Sequence, residues 1–131
     1  HFAGDYILKE CSSRLKEIIH SKDYIGRLGG DEFAIILERE LPKNETKKYV
    51  RKIKSHLEQP YNYKENTIIL DINFGISYFP EDAENSHDLI KSSDIAMFKA
   101  KNDVNSSIEF FSEDMEENIL TNIKICIENS V

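Results

Sequence analysis

Tryptophan is absent from the 131 residues, and cysteine, methionine, proline and glycine number only 2, 2, 3 and 5. Cys11 and Cys126 lie far apart and match no metal-ligand spacing, which removes a cysteine metal site and a disulfide framework. A reduced setting, the cytoplasm, is therefore expected. So little proline and glycine excludes a fibrous or low-complexity chain. Long apolar runs are missing as well. The best, Phe33 to Leu37, is strand-sized, so no segment is a candidate to span a bilayer. No signal-peptide pattern opens the chain. Basic residues are short: 17 Lys+Arg face 24 Asp+Glu, a formal net charge of −7. Without a basic stripe, a nucleic-acid polymer is excluded as a partner. A nucleotide handled locally by a metal ion and a lysine or two is not.

What is present is the balance of a soluble globular domain, with 40% hydrophobic and 31% charged residues. The length suits one domain with a core large enough to fold without staples. Because residue 1 is His rather than Met, the numbering is expected to begin inside a longer or processed gene product.

Between Asp5 and His20 the apolar residues Ile7, Leu8, Cys11, Leu15, Ile18 and Ile19 step by threes and fours, predicting an amphipathic helix. Tyr24 to Leu28 and Phe33 to Leu37 flank Gly29-Gly30-Asp31-Glu32, the pattern of a hairpin. The second run is continuously apolar, as in a strand covered on both faces. Asn44 to Glu58 reads as a helix with Tyr49, Val50, Ile53 and Leu57 inward, punctuated by Pro42 and Pro60. Thr67 to Phe79 alternates as one long strand, with Gly75 marking a bulge or a close backbone approach. Ser86 to Lys101 is predicted as a helix capped by Ser86 and carrying Leu89, Ile90, Ile95, Met97 and Phe98. Ile108 to Phe111 is a short strand, and Ser112 caps a last amphipathic stretch through Met115, Ile119, Ile123 and Ile127. Tyr61 and Tyr63 read as loop packing, His56 and His87 as surface residues, and the two cysteines as core or helix-face residues. This order predicts an α/β sandwich, with helices covering a sheet that contains an antiparallel hairpin.

Chemistry concentrates in Arg27-Leu28-Gly29-Gly30-Asp31-Glu32-Phe33. Two glycines permit positive backbone dihedrals and also remove side chains, so a bulky ligand could lie against the backbone. Beside them, two carboxylates offer hard oxygen ligands to a divalent cation. On spacing alone this phosphate-handling design and a plain solvated acidic turn stand about equal.

Gly29-Gly30-Asp31-Glu32-Phe33 is the signature of the GGDEF family, the diguanylate cyclase domains, and three further stretches resemble the same family. His1-Phe2-Ala3-Gly4-Asp5 is similar to its His-x-x-Gly-Asp element. Phe74 to Asp82 resembles its strand-to-loop motif, and Asp94 to Lys101 its late helix ending in a phosphate-binding lysine. The resemblance implies a palm-like fold akin to nucleotidyl cyclases and polymerases, a ferredoxin-like sheet with helices on its faces. It implies a GGDEF domain over 1–111 and a helical linker over 112–131. Two such domains would meet face to face, each holding GTP, and condense the nucleotides into cyclic di-GMP with release of pyrophosphate. Magnesium, or manganese, is the implied cofactor. Asp31 becomes the metal-binding and catalytic carboxylate, and Glu32 the adjacent signature acid. Gly29 and Gly30 admit the nucleotide, His1 and Asp5 hold guanine and ribose, and Lys101 meets the terminal phosphates.

Three departures qualify this. The family's first strand, with a second metal-binding aspartate, would precede His1, so these residues alone are expected neither to fold robustly nor to turn over GTP. Asn105 stands where an arginine is expected after the late helix. His20-Ser21-Lys22-Asp23 stands where many members carry an inhibitory Arg-x-x-Asp, and a neutral His20 cannot fork onto phosphate. The tail from Phe110 resembles the linker to an EAL phosphodiesterase domain. The alternative function is therefore a GTP-binding module that regulates such a domain in cis.

Overall fold

The computed structural model describes residues 2–115, in a mixed helix-and-sheet arrangement. His1, Cys126 and the amphipathic stretch expected beyond residue 115 lie outside the described residues. The chain divides into two compact units, His1–Ile72 and Asn73–Val131.

In the first unit, α1 (Phe2–Ile18) begins a turn earlier than the apolar stripe suggested. It buries Cys11 and Leu15, one turn apart, and faces α2 (Lys43–Leu57). From α2 the side chains of Thr46, Val50, Ile53 and Leu57 turn inward, which is the expected stripe with Thr46 added and Tyr49 only half-buried. Arg14 fastens α1 to the segment after α2. Its two terminal nitrogens donate to the carbonyls of Gln59 and Pro60 at 2.6 and 2.8 Å, and its guanidinium lies 3.7 Å above the Tyr61 ring.

The predicted hairpin forms from β1 (Asp23–Gly29) and β2 (Glu32–Leu37), antiparallel, with Ile25 opposite Ile35 and Arg27 opposite Phe33. The register shifts between Arg27 and Gly29, a bulge that displaces Leu28 and turns the chain into the signature. The expectation that β2 is covered on both faces is corrected. Ile36 is 53% exposed and its cross-strand partner Tyr24 is 56% exposed.

The single strand expected from Thr67 to Phe79 is also corrected. Residues 66–68 form β4 (Asn66–Ile68), which folds back on β3 (Tyr61–Tyr63) around Lys64, whose φ is 55°. Tyr61 is thus a strand residue with no exposed surface rather than loop packing, and its hydroxyl donates to the Leu57 carbonyl at 2.5 Å. Beyond the ladder, Lys54 of α2 and Glu58 at its C-terminal cap supply the partners of Ile72. The Glu58 carboxylate accepts the Ile72 N–H at 2.9 Å, and Lys54 Nζ donates to the Ile72 carbonyl at 2.7 Å. Side chains satisfy backbone groups of Ile72 that would otherwise need a neighbouring strand.

In the second unit, β5 (Phe74–Ile76) pairs in parallel with β6 (Ile108–Phe110), and α3 (Ser86–Asn102) packs on both. Gly75 is the close approach, not a bulge: a Cβ there would sit 2.0 Å from the Ser93 carbonyl oxygen and 2.3 Å from the Met97 nitrogen. That contact selects a face of small residues, Ser92, Ala96 and Ala100, as the buried side of α3, and leaves Ile90 exposed. The cap is Asn85 rather than Ser86, its side chain accepting the Asp88 N–H at 2.8 Å. Ala96, Phe111 and Met115 close the core of this unit, with Ile95 packed against them.

Candidate functional site

The signature forms a two-residue turn, Gly30–Asp31, between paired Gly29 and Glu32. Gly29 has φ 138° and Gly30 has φ 50°, values that side chains with a Cβ disfavour or reject. A Cβ on either would meet nothing within 4 Å, so the turn is open above its backbone. Arg27 stiffens it from below, its Nε and Nη2 donating to the Gly30 carbonyl at 3.0 and 2.5 Å. Asp31 is exposed at the tip, with no hydrogen bond or ion pair among the described residues, whereas Glu32 is half-buried and engaged.

Below the turn, α1 and the hairpin stem enclose an open groove of about 420 Å³. Asp5 and Leu8 line it from α1, and Ile25, Arg27 and Phe33 line it from the strands. Asp5, predicted from sequence, is therefore brought against the stem of the signature hairpin. Lys101 is exposed in the last turn of α3 in the other unit. Lys9, Ser12 and Lys16 also face the groove. Their spacing along α1 was visible in the sequence, but which wall they meet was not.

At the far end of the same hairpin, Asp23 is occupied. Its carboxylate accepts Nε and Nη2 of Arg39 at 3.1 and 2.6 Å and the Tyr49 hydroxyl at 2.7 Å. Tyr49 in turn accepts the His20 backbone N–H at 2.8 Å. Burial pushes the Asp23 carboxyl up, yet the Arg39 fork and the Tyr49 hydroxyl outweigh it and hold it below the usual carboxylate range. Asp23 is thus a structural clamp joining β1, the loop after β2 and α2, a role that sequence reasoning missed. His20 is exposed, its ring Nδ1 accepting the Lys22 N–H at 3.0 Å. His87 is exposed as expected. His56 is not a free surface residue: its Nε2 is buried and lies 3.4 Å from the Glu17 carboxylate of α1.

A divalent cation can be weighed against these donors. Among the described residues no group of three or more His, Cys, Asp or Glu side chains could hold a metal. With Glu32 engaged, the exposed Asp31 is the signature carboxylate without a partner among the described residues, and a single carboxylate does not make a free-standing metal centre.

The family profile described as "Diguanylate cyclase, GGDEF domain" matches residues 1–107. The chain belongs to the GGDEF family. This GGDEF chain is 30% identical over 118 residues to the bifunctional diguanylate cyclase/cyclic di-GMP phosphodiesterase MucR of Pseudomonas aeruginosa, covering 90% of the chain and 17% of MucR. It is 24% identical over 115 residues to the cyclic di-GMP phosphodiesterase NbdA of the same organism, covering 88% of the chain and 15% of NbdA. It therefore spans only a small part of these relatives. Among solved structures, the GGDEF domain of TpbB from Pseudomonas aeruginosa superposes with a TM-score of 0.84 at 26% identity, over 92% of this chain and 70% of that one. The helix-and-sheet arrangement is consistent with the palm-like cyclase fold of the family, and the family places the chain in cyclic di-GMP signalling. No helix among the described residues is long and apolar enough to cross a membrane.

Proposed function

We propose that this domain is a diguanylate cyclase, condensing two GTP into cyclic di-GMP with release of pyrophosphate. The observation that carries the reading is the open signature turn: two positive-φ glycines with clear space above them and an uncommitted Asp31 at the tip. Two copies of the chain, each holding one GTP, would face each other. The 3′-hydroxyl of one nucleotide attacks the α-phosphorus of the other, the bond to the β-phosphate oxygen breaks, and pyrophosphate leaves. A second round closes the ring.

Asp31 supports removal of the hydroxyl proton from its exposed position at the turn. Gly29 and Gly30 admit the nucleotide against bare backbone. Asp5, on the groove beneath, receives guanine N–H groups together with His1. The family resemblance gives Lys101, in the last turn of α3, a phosphate-binding role. Magnesium or manganese, when bound at Asp31, would neutralise charge developing on the phosphoryl oxygens. The test is incubation of the intact protein with GTP and magnesium. Cyclic di-GMP and pyrophosphate should appear together, and their absence overturns the cyclase reading.

A second reading is favoured by the similarity to the phosphodiesterase NbdA, and by Asn105 standing where the family carries an arginine. In it the domain binds GTP without turnover and adjusts an attached EAL phosphodiesterase. A magnesium-dependent rise in melting temperature with GTP, without product, would select this reading.

A further inference from the structure

The α1 groove has two chemically different ends. Asp5 is its lone acid, one turn before Lys9, while Lys9, Ser12 and Lys16 continue along the same helix face at spacings of three and four. Opposite them stands β1, where Gly26 presents backbone without a side chain and a Cβ would meet nothing within 4 Å. Arg27 adds a third cation to the lining, partly engaged with the Gly30 carbonyl. Neither Lys9 nor Lys16 makes an ion pair or hydrogen bond among the described residues, although acidic residues outnumber basic ones 24 to 17 in the chain. In so acidic a protein, three cations and a hydroxyl sharing one concavity are a local reversal of field. Such a concavity concentrates anions.

We propose that the Lys9–Ser12–Lys16 end of this groove is a binding subsite for an anion carrying two or more phosphoryl groups. Lys9 and Lys16 are seven residues apart, about 10 Å along the helix axis. Their flexible four-carbon stems let two ammonium groups grip separate phosphoryl groups of one ligand, with the Ser12 hydroxyl donating between them. Half-buried Leu8, Ile25 and Phe33 give the same groove an apolar floor. The site shares no residue with the signature turn, and its ligand is either free oligophosphate or the phosphate chain of a nucleotide.

The experiment is calorimetric titration of the intact protein, without divalent metal, using inorganic pyrophosphate and, separately, GTP. Lys9→Gln/Lys16→Gln is compared with the wild type and with Lys48→Gln/Lys52→Gln, an equal charge change on α2. The groove variant should bind about tenfold more weakly, with the α2 variant unchanged. A loss seen with pyrophosphate identifies free oligophosphate as a ligand; a loss confined to GTP identifies the nucleotide's phosphate chain. Should the double variant fail to fold, Ser12→Asp places a negative charge in the groove and should weaken binding likewise. Asp31→Ala should keep wild-type affinity for pyrophosphate, so failure of the cyclase reading leaves this one standing. Equal affinities of wild type and groove variants for both probes, or no binding of either probe by the wild type, overturns the proposal.

Discussion

Glycine is required in two regions of this protein for opposite reasons. At the signature turn the space is open and the backbone is special: Gly29 and Gly30 have φ of 138° and 50°, and a Cβ would touch nothing. At β5 the space is closed: a Cβ on Gly75 would overlap the backbone of α3 at Ser93 and Met97. One region is shaped to receive something from outside, the other to exclude everything. Substitutions in the open region should therefore register in turnover and binding, and those in the closed region in stability.

The largest expected effect tests the closed side. Gly75→Ala forces a methyl into backbone atoms of a helix, which cannot yield as a flexible side chain would. We expect a loss of about 3 kcal/mol or more, at the upper end of overpacking effects. Thermal or denaturant unfolding of the intact protein measures it, and an unchanged midpoint would mean that α3 stands further from β5 than described.

The open side is tested by Asp31→Ala. An exposed carboxylate without partners packs nothing, so the melting temperature should hold within experimental scatter while cyclic di-GMP synthesis falls by about two to four orders of magnitude. Retained turnover would remove Asp31 from the mechanism. A large drop in stability would show that the turn is not the open structure described.

Asp23 carries the contrast into a single hairpin, since it is closed where Asp31 is open. Its carboxyl is held below the usual range in the folded protein, so its contribution is present above the unfolded carboxylate range near pH 3.9. That contribution disappears as pH falls through the lower folded value. Asp23→Asn keeps the shape but weakens the Arg39 fork, and should cost about 1–2 kcal/mol at pH 7. Melting temperatures from pH 7 to pH 3 should then fall less steeply in the variant than in the wild type. Parallel curves would show that the clamp does not contribute through its charge.

How much of this was legible beforehand follows the reach of each interaction. The signature hairpin could be read because two β-prone runs and two glycines are neighbours in sequence. Gly75 could be flagged as a close approach or a bulge, but choosing between them required α3. The buried face of α3 was not legible for the same reason: Ala96 and Ala100 turn inward because Gly75 lets the helix come near, and no local hydrophobic pattern says so. The strand expected from Thr67 to Phe79 ends at Ile68, and further along Lys54 and Glu58, far back in the sequence, take the backbone groups of Ile72. Asp5 and Asp31 could be singled out by resemblance. The groove joining Asp5 to Lys9, Lys16 and the hairpin stem exists only once α1 meets β1 and β2, and Asp23 finds Arg39 only across a whole hairpin.

The smallest expected effect is the sharpest test of why the open turn needs glycine. If dihedral angle alone decides, then at φ 50° Gly30→Asn should be nearly neutral for folding, because asparagine visits the left-handed region with little penalty. Gly30→Val, β-branched and unsuited to that region, should cost about 1 kcal/mol more than the asparagine variant. If space decides instead, both variants should be equally stable, since neither side chain begins with a clash. Nucleotide affinity separates the remaining contribution: either side chain occupies the room above the turn, so both should weaken GTP binding even where asparagine leaves the melting temperature untouched. A turn that tolerates asparagine in folding yet not in binding has glycine there for two separable reasons, whereas Gly75 has only one.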